Sequence, residues 1–86
     1  MARMTDRDPL LVEREKTHGS FEDNAKTWFA LWNGYKVQTV WPMNPQQQLA
    51  IGMIFVKLAR IASTPNEKDH WDDIAGYAKL GSEACE

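Results

Sequence analysis

The stretch from Leu49 to Ala62 constrains the fold more than any other part of the chain. Its only residues that are not apolar are Gly52, Lys57 and Arg60. A helix that is apolar on nearly every side is buried on most sides, so the rest of the chain must fold around this one. The helix also carries two of the strongest candidates for a functional site, because Lys57 and Arg60 are its only charges.

Capping signals predict where this helix begins and where the other helices of the chain begin and end. The helix starts are marked by Asp8-Pro9, Ser20 and Asn44-Pro45, which combine good N-cap residues with prolines suited to a first turn. Gly19, Asn33-Gly34 and Gly81 mark helix ends. The sequence therefore predicts an all-α fold, a four-helix domain with helices at roughly 9–17, 20–33, 45–62 and 68–81.

Two segments carry weaker signals. Residues 1–7 are polar and are expected to be frayed. Tyr35 to Trp41 alternates and contains β-branched residues, as a strand would. A single strand has no partner in this chain, so we interpret the segment as an extended connector within one domain, residues 1–86.

Apolar spacing predicts which helix faces point to the core. On the second helix the expected face is Phe21, Ala25, Trp28 and Trp32, with Phe29 beside it. On the fourth helix it is Trp71, Ile74, Ala75 and Ala78.

Composition narrows the class of protein. The net charge is −2, which gives no electrostatic signature of nucleic-acid binding. The longest apolar run is shorter than the ~20 residues needed to span a bilayer, and the lone Cys85 and the lack of a signal peptide favour the cytoplasm. Since a domain of this size can hardly cover the third helix, we expect a homo-oligomer.

The third and fourth helices are expected to form an antiparallel hairpin about Pro65. Residues whose numbers sum to about 130 then lie side by side. The pairs are Lys57 with Asp73, Arg60 with His70 or Asp69, and Met53 with Tyr77. One interpretation is that Lys57–Asp73 and Arg60–Asp69 are ion pairs that only fix the hairpin's register.

The other interpretation is a small-molecule site. Arg and Lys suit phosphate, the start of the fourth helix offers free N–H groups, and Trp or Tyr rings suit a nucleotide base. His18, at a corner between two helices, either binds a ligand or hydrogen-bonds a terminal carbonyl. The candidate ligand-binding residues are Lys57, Arg60, Asp73, Tyr77, His70, Trp71 and His18. No catalytic residue and no cofactor are predicted.

Two segments carry a family resemblance, EREKTHGSFEDNA (Glu13–Ala25) and MIFVKLARI followed by DHWDDIAGYAKLG. They resemble a family of small proteins from tailed phages and prophages with K-x-A-R and D-x-x-x-D-x-A-G-Y-A motifs. The matching positions are Lys16, Gly19, Phe21, Lys57, Arg60, Asp69, Asp73, Gly76 and Tyr77. The resemblance implies a phage origin, and therefore the host cytoplasm, and an all-helical fold.

More distantly, the fourth helix is similar to the last metal-binding helix of MazG-like nucleoside triphosphate pyrophosphohydrolases. Asp73 matches the final Asp of their second motif, whereas His70 stands where that motif has Glu. The resemblance implies Mg²⁺-dependent hydrolysis. The candidate metal ligands for such an enzyme are Asp69, Asp72, Asp73 and Glu22.

Three functions follow as hypotheses. The first is a phage-type, oligomeric protein that binds a nucleotide or nucleotide-derived small molecule without catalysis and sequesters a host immune signal. The second is the Mg²⁺-dependent pyrophosphohydrolase. The third is an interaction module that binds a host protein.

Overall fold

The fold was examined in a computed structural model, which describes residues 8–38 and 42–86. The predicted all-α class is confirmed over these residues, which form four helices and no strand. The helices are α1 (Pro9–His18), α2 (Phe21–Gln38), α3 (Pro45–Ser63) and α4 (Lys68–Glu83).

The predicted N-caps form at the starts of α1 and α3. The Asp8 carboxylate accepts from the Leu10 N–H at 2.8 Å, and Pro9 occupies the first turn of α1. At α3, the Asn44 and Gln47 side chains each accept from the other residue's backbone N–H, which completes the capping box. These caps satisfy N–H groups that have no partner inside a helix.

α2 runs to Gln38, so the predicted end at Asn33-Gly34 is wrong, as is the extended connector over residues 35–38. A glycine inside a helix costs only about 1 kcal/mol, and the next residue repays this by packing. The Tyr35 ring lies edge-on to Phe55 with 5.5 Å between ring centroids. The rest of the connector, residues 39–41, and the frayed segment predicted for residues 1–7 lie outside the described residues.

α4 also departs from its predicted end and face. It continues past Gly81 to Glu83. Trp71 is 54% exposed, and Ala75 and Ala78 are exposed too, so the predicted core face is wrong apart from the half-buried Ile74. The face that packs against α3 is instead His70, Ile74, Tyr77 and Gly81. An apolar pattern could not locate it, because its most buried side chain is a histidine.

α3 lies at the centre of the fold, with α4 antiparallel along one side, α2 along another and α1 near its end. Among the described residues, the buried apolar side chains are those of Ala50, Phe55 and Ala59. Trp28 and Trp32 stack at 6.3 Å between ring centroids, and Trp32 packs edge-on to Phe55. Among the described helices, none combines the length and apolar character that crossing a bilayer requires.

The far end of the hairpin is joined to the end of the chain. The Asn44 side chain caps α3 with its oxygen and donates from its nitrogen to the Ala84 carbonyl at 2.9 Å. One residue therefore holds the start of α3 beside the last turn of α4.

Candidate functional site

Lys57 and Asp73 form the predicted ion pair between α3 and α4. The Lys57 Nζ lies 2.9 Å from the Asp73 Oδ2. The Lys57 side chain is 11% exposed, whereas that of Asp73 is 47% exposed. The pair is therefore asymmetric, with a buried cation that depends on a carboxylate open to solvent.

Asp73 is held in its charged form by its neighbours. The hydrogen bond from Lys57 is the largest cause that lowers the pKa of this carboxyl, and the positive charges of Lys57, His70 and Arg60 lower it further. Partial desolvation of the carboxyl acts in the opposite direction and is outweighed. The carboxylate is thus a fixed negative charge at this point of the hairpin.

Arg60 does not form the predicted ion pair with Asp69. Within the described residues its guanidinium has no carboxylate partner, and Asp69 stays exposed on α4. The Arg60 charge lies close enough to contribute to the lowered pKa values of His18 and Asp73. Arg60 therefore adds positive charge beside Lys57 without a matching anion of its own.

His70 attaches α1 to the hairpin. Its side chain is buried, and its Nε2 donates to the Thr17 carbonyl at 2.9 Å. The Thr64 hydroxyl donates to the same carbonyl at 2.8 Å. A carbonyl at a helix end has no hydrogen-bond partner inside the helix, and here the Thr17 carbonyl accepts two hydrogen bonds from other elements. His70 thus makes the bond to a terminal carbonyl that the sequence suggested for His18.

His18 lies against His70, with 5.2 Å between the ring centroids and the rings nearly perpendicular. Its Nδ1 lies 2.8 Å from the Thr17 hydroxyl. Burial is the first cause that lowers the pKa of His18, and the positive charge of Arg60 is the second. We call the set Lys57, Arg60, His18, His70 and Asp73 the basic cluster.

Gly19 allows the corner between α1 and α2 to lie close to α3. Its φ is 76° and its ψ is −177°, a region that is essentially restricted to glycine. A Cβ at this position would lie 2.5 Å from the Ser63 Cβ. The close approach brings His18 to the hairpin, and the Asn24 amide secures it by donating to the His18 carbonyl at 2.6 Å.

Two grooves lie on either side of Tyr77. The larger, about 790 Å³, lies between the end of α2 and the open end of the hairpin, and the smaller measures about 360 Å³. Tyr77 and Ala50 line both. Tyr77 follows Asp73 by four residues, which is about one turn or 5.4 Å along α4. Tyr77 is therefore the candidate aromatic residue of α4 that lies beside both grooves and next to the basic cluster.

The structure places Trp71 differently. Its indole Nε1 donates to the Pro65 carbonyl at 2.9 Å, which fixes the side chain over the hairpin turn. The sequence also missed residues of the larger groove on α2 and at the start of α3. These are Tyr35, Gln38, Met43 and Gln47. No signal in the sequence marks them as a group, since Tyr35 and Gln38 reach the groove only because α2 continues beyond Gly34.

The carboxylates proposed as metal ligands lie apart or are paired with lysines. Asp72 pairs with Lys68 at 2.7 Å, and this bond raises the pKa of Lys68. Glu22 pairs with Lys26 on α2 at 3.1 Å. In the part of the chain that the structure describes, no group of three or more His, Cys, Asp or Glu side chains is arranged to hold a metal ion.

Comparisons with known proteins give a family and nothing more. No curated protein matches the chain, and no solved structure does. One family model matches residues 5–85, nearly the whole length. The chain therefore belongs to the family described as a domain of unknown function, DUF6378.

Proposed function

We propose that this protein binds a nucleotide or a nucleotide-derived small molecule without catalysis, with phosphate at the basic cluster and the base against Tyr77. The observation that carries the proposal is the excess of positive charge at the cluster. Lys57 and Arg60 contribute two cations, and among the described residues Asp73 is the carboxylate that pairs with one of them.

The guanidinium of Arg60 is the group best suited to the phosphate. Its planar donors match two phosphate oxygens, and such charge-assisted hydrogen bonds are about twice as strong as neutral ones. Lys57 is already bound to Asp73, so its contribution is a buried positive charge at the edge of the site. His18 lies beside these cations and supplies a ring nitrogen that gains a proton readily when an anion offsets their charge.

Tyr77 offers the surface for a base. The larger groove beside it falls within the ~300–1,000 Å³ range typical of small-molecule sites. Its lining combines the rings of Tyr35 and Tyr77 with the amide of Gln38, whereas the Gln47 oxygen is already engaged in the α3 capping box. Rings supply stacking and amides supply hydrogen bonds to base edges, so the groove has the chemistry that a nucleobase needs.

Binding without hydrolysis is favoured over the Mg²⁺-dependent alternative. A two-motif pyrophosphohydrolase needs carboxylates gathered around the metal. Here Asp72 and Asp73 are each paired with a lysine, and Glu22 lies on α2 in a pair with Lys26. For a phage-type protein, binding without turnover would remove a host nucleotide signal from solution.

The test is calorimetric titration of the purified chain, after a thermal-shift screen. The screen includes ATP, AMP, cyclic dinucleotides and ADP-ribose, with adenosine and inorganic pyrophosphate as the two halves of the ligand. We expect R60Q to weaken nucleotide binding by about 10- to 100-fold, as loss of a charge-assisted hydrogen bond does. The matched control is K79M, which removes an exposed lysine of α4 and should leave binding unchanged.

A second variant separates the base from the phosphate. Y77L should weaken binding of nucleotides while leaving pyrophosphate binding unchanged, since it removes a ring and no charge. The proposal fails if no ligand stabilises the protein at millimolar concentration, or if R60Q binds as tightly as the wild type. Release of pyrophosphate from a nucleoside triphosphate by the purified chain would establish the hydrolase instead.

A further inference from the structure

α2 carries an aromatic stripe that the other described residues leave exposed. Phe21, Ala25 and Phe29 follow one another at intervals of four residues and share one side of the helix. Phe21 is 82% exposed, Phe29 is 62% exposed, and Ala25 is exposed as well. The sequence predicted Phe21 and Ala25 on the core face of α2 with Phe29 beside it, which is wrong, whereas Trp28 and Trp32 of the same predicted face do pack on α3.

The area involved is large for a chain of this size. A phenylalanine side chain buries about 150–250 Å², so the two exposed rings together present about 300 Å² of apolar surface to solvent. The largest exposed apolar patch of a typical monomer measures about 300–600 Å² and is often functional, so the stripe is large enough to be an interaction surface. The stripe shares no residue with the basic cluster, which lies on the α3–α4 hairpin apart from His18 at the end of α1.

The stripe is complementary to itself. The two rings lie four residues before and four residues after Ala25. If two copies of α2 cross antiparallel at Ala25, Phe21 of each copy meets Phe29 of the other. The small side chain at the crossing point lets the two helices approach closely. A two-fold axis through this point repeats every contact, as an isologous interface requires.

The charges that flank the stripe fit the same arrangement. Glu22 and Lys26 lie together on one edge of the stripe, with 3.1 Å between their charged atoms. In an antiparallel pair, the same edges of the two helices meet. Glu22 of one copy then lies within about two residues, or 3 Å along the axis, of Lys26 of the other. Both crossed pairs therefore join opposite charges.

We propose that the partner of this surface is a second copy of the same chain, bound through an antiparallel pair of α2 helices centred on Ala25. One helix pair buries less than the ~800 Å² per partner of a standard interface. The dimer is therefore reversible and dissociates on dilution. It leaves the hairpin open, so it stands independently of the proposed ligand site.

The first experiment measures association of the full chain by sedimentation over a range of protein concentrations. F29E places a charge against Phe21 of the other copy, and we expect it to weaken the dimer by more than about thirtyfold, the effect of losing an interface hot spot. The matched control is V37E, which changes an apolar residue of α2 that is more exposed than Phe29 and lies about two turns beyond the end of the stripe. It should leave the dissociation constant within about threefold of the wild type. Circular dichroism confirms that both variants keep their helices.

The second experiment uses the crossed charges. E22K alone and K26E alone each put like charges opposite one another, so each variant should associate more weakly than the wild type. In a mixture of the two, both crossed pairs again join opposite charges, so the variants should form a heterodimer more tightly than either forms a homodimer. A wild-type chain that stays monomeric at its highest soluble concentration would overturn the proposal. So would a dimer that resists F29E, or a mixture that shows no preference for the heterodimer.

Discussion

The two ends of the α3–α4 hairpin differ in the kind of side chain that lies between the helices. At the turn end, polar groups are buried and paired, with Lys57 bonded to Asp73 and His70 bonded to the Thr17 carbonyl. At the open end, apolar and aromatic side chains line grooves that the described residues leave unfilled. α1 covers the first end, where its C-terminal carbonyl needs donors, and it does not reach the second.

The difference shows how a small domain divides stability and binding between two places. Buried hydrogen bonds demand particular partners at particular distances, which restricts the arrangement of the turn end, although the His70 Nδ1 and the Asn24 Oδ1 are buried without a partner among the described residues. Open apolar grooves make no such demand and can accept a ligand. The basic cluster belongs to the turn end, and Tyr77, about one turn after Asp73, links it to the grooves of the open end.

The largest expected effect comes from glycines at the two ends. G19A should lower the free energy of unfolding by about 3 kcal/mol, because it combines a backbone conformation restricted to glycine with a clash against Ser63. G81A at the open end should be neutral or stabilise by about 0.5 kcal/mol, since its Cβ would meet Ala50 at an ordinary 3.5 Å. Urea denaturation measures both. Equal effects of the two substitutions would show that the ends do not differ in packing.

A smaller effect is expected from the two halves of the ion pair. K57M should cost less than about 1 kcal/mol, because it replaces a mostly buried lysine by an apolar side chain of similar shape and leaves Asp73 in contact with water. D73N should lower the urea midpoint further, because it leaves the Lys57 charge buried without its partner. The reverse order would mean that Asp73, and not Lys57, is the buried member of the pair.

The smallest effect is the dependence of stability on pH. In the folded protein the pKa of His18 lies below its ordinary value of 6.5. The contribution of His18 to the free energy of unfolding is therefore complete above pH 6.5 and declines as the pH falls toward the folded pKa. The folded pKa of Asp73 lies below 3.8. Its contribution is therefore lost only at more acidic pH, as the pH falls through that folded pKa.

The melting temperature, measured across this pH range, should therefore fall in two successive steps as the pH is lowered. H18N should remove the first decline and keep the second. The open end supplies a control, because E83Q removes an exposed carboxylate there and should leave the first decline unchanged. A first decline that persists in H18N would assign it to another group.

The sequence predicted those parts of the fold that local chemistry determines. Asp8-Pro9 and the Asn44–Gln47 capping box each supply their own hydrogen-bonding partners, so the starts of α1 and α3 are visible in the chain itself. The pairing of Lys57 with Asp73 followed from the short turn, because a hairpin's register depends on the turn alone.

The errors arose where distant residues decide the outcome. α2 passes Gly34 because Tyr35 packs on Phe55, twenty residues further along the chain. The packed face of α4 includes His70 because α1 ends in a carbonyl that needs a donor. In each case the deciding residue lies in another helix, so the sequence of the helix itself does not reveal it. The basic cluster was therefore predictable as a set of candidates, whereas the attachment of α1 to it was not.

The bond between Asn44 and the Ala84 carbonyl joins residues forty positions apart, which has a consequence for folding kinetics. Such a contact forms only after both helices are in place and the turn has closed, because bringing distant residues together carries the largest loop-closure cost. It is therefore expected to be absent from the transition state for folding. Stabilisation at this position slows unfolding and leaves the folding rate nearly unchanged. The end of the chain is thus a point from which the lifetime of the native state can be adjusted independently of the speed with which it is reached.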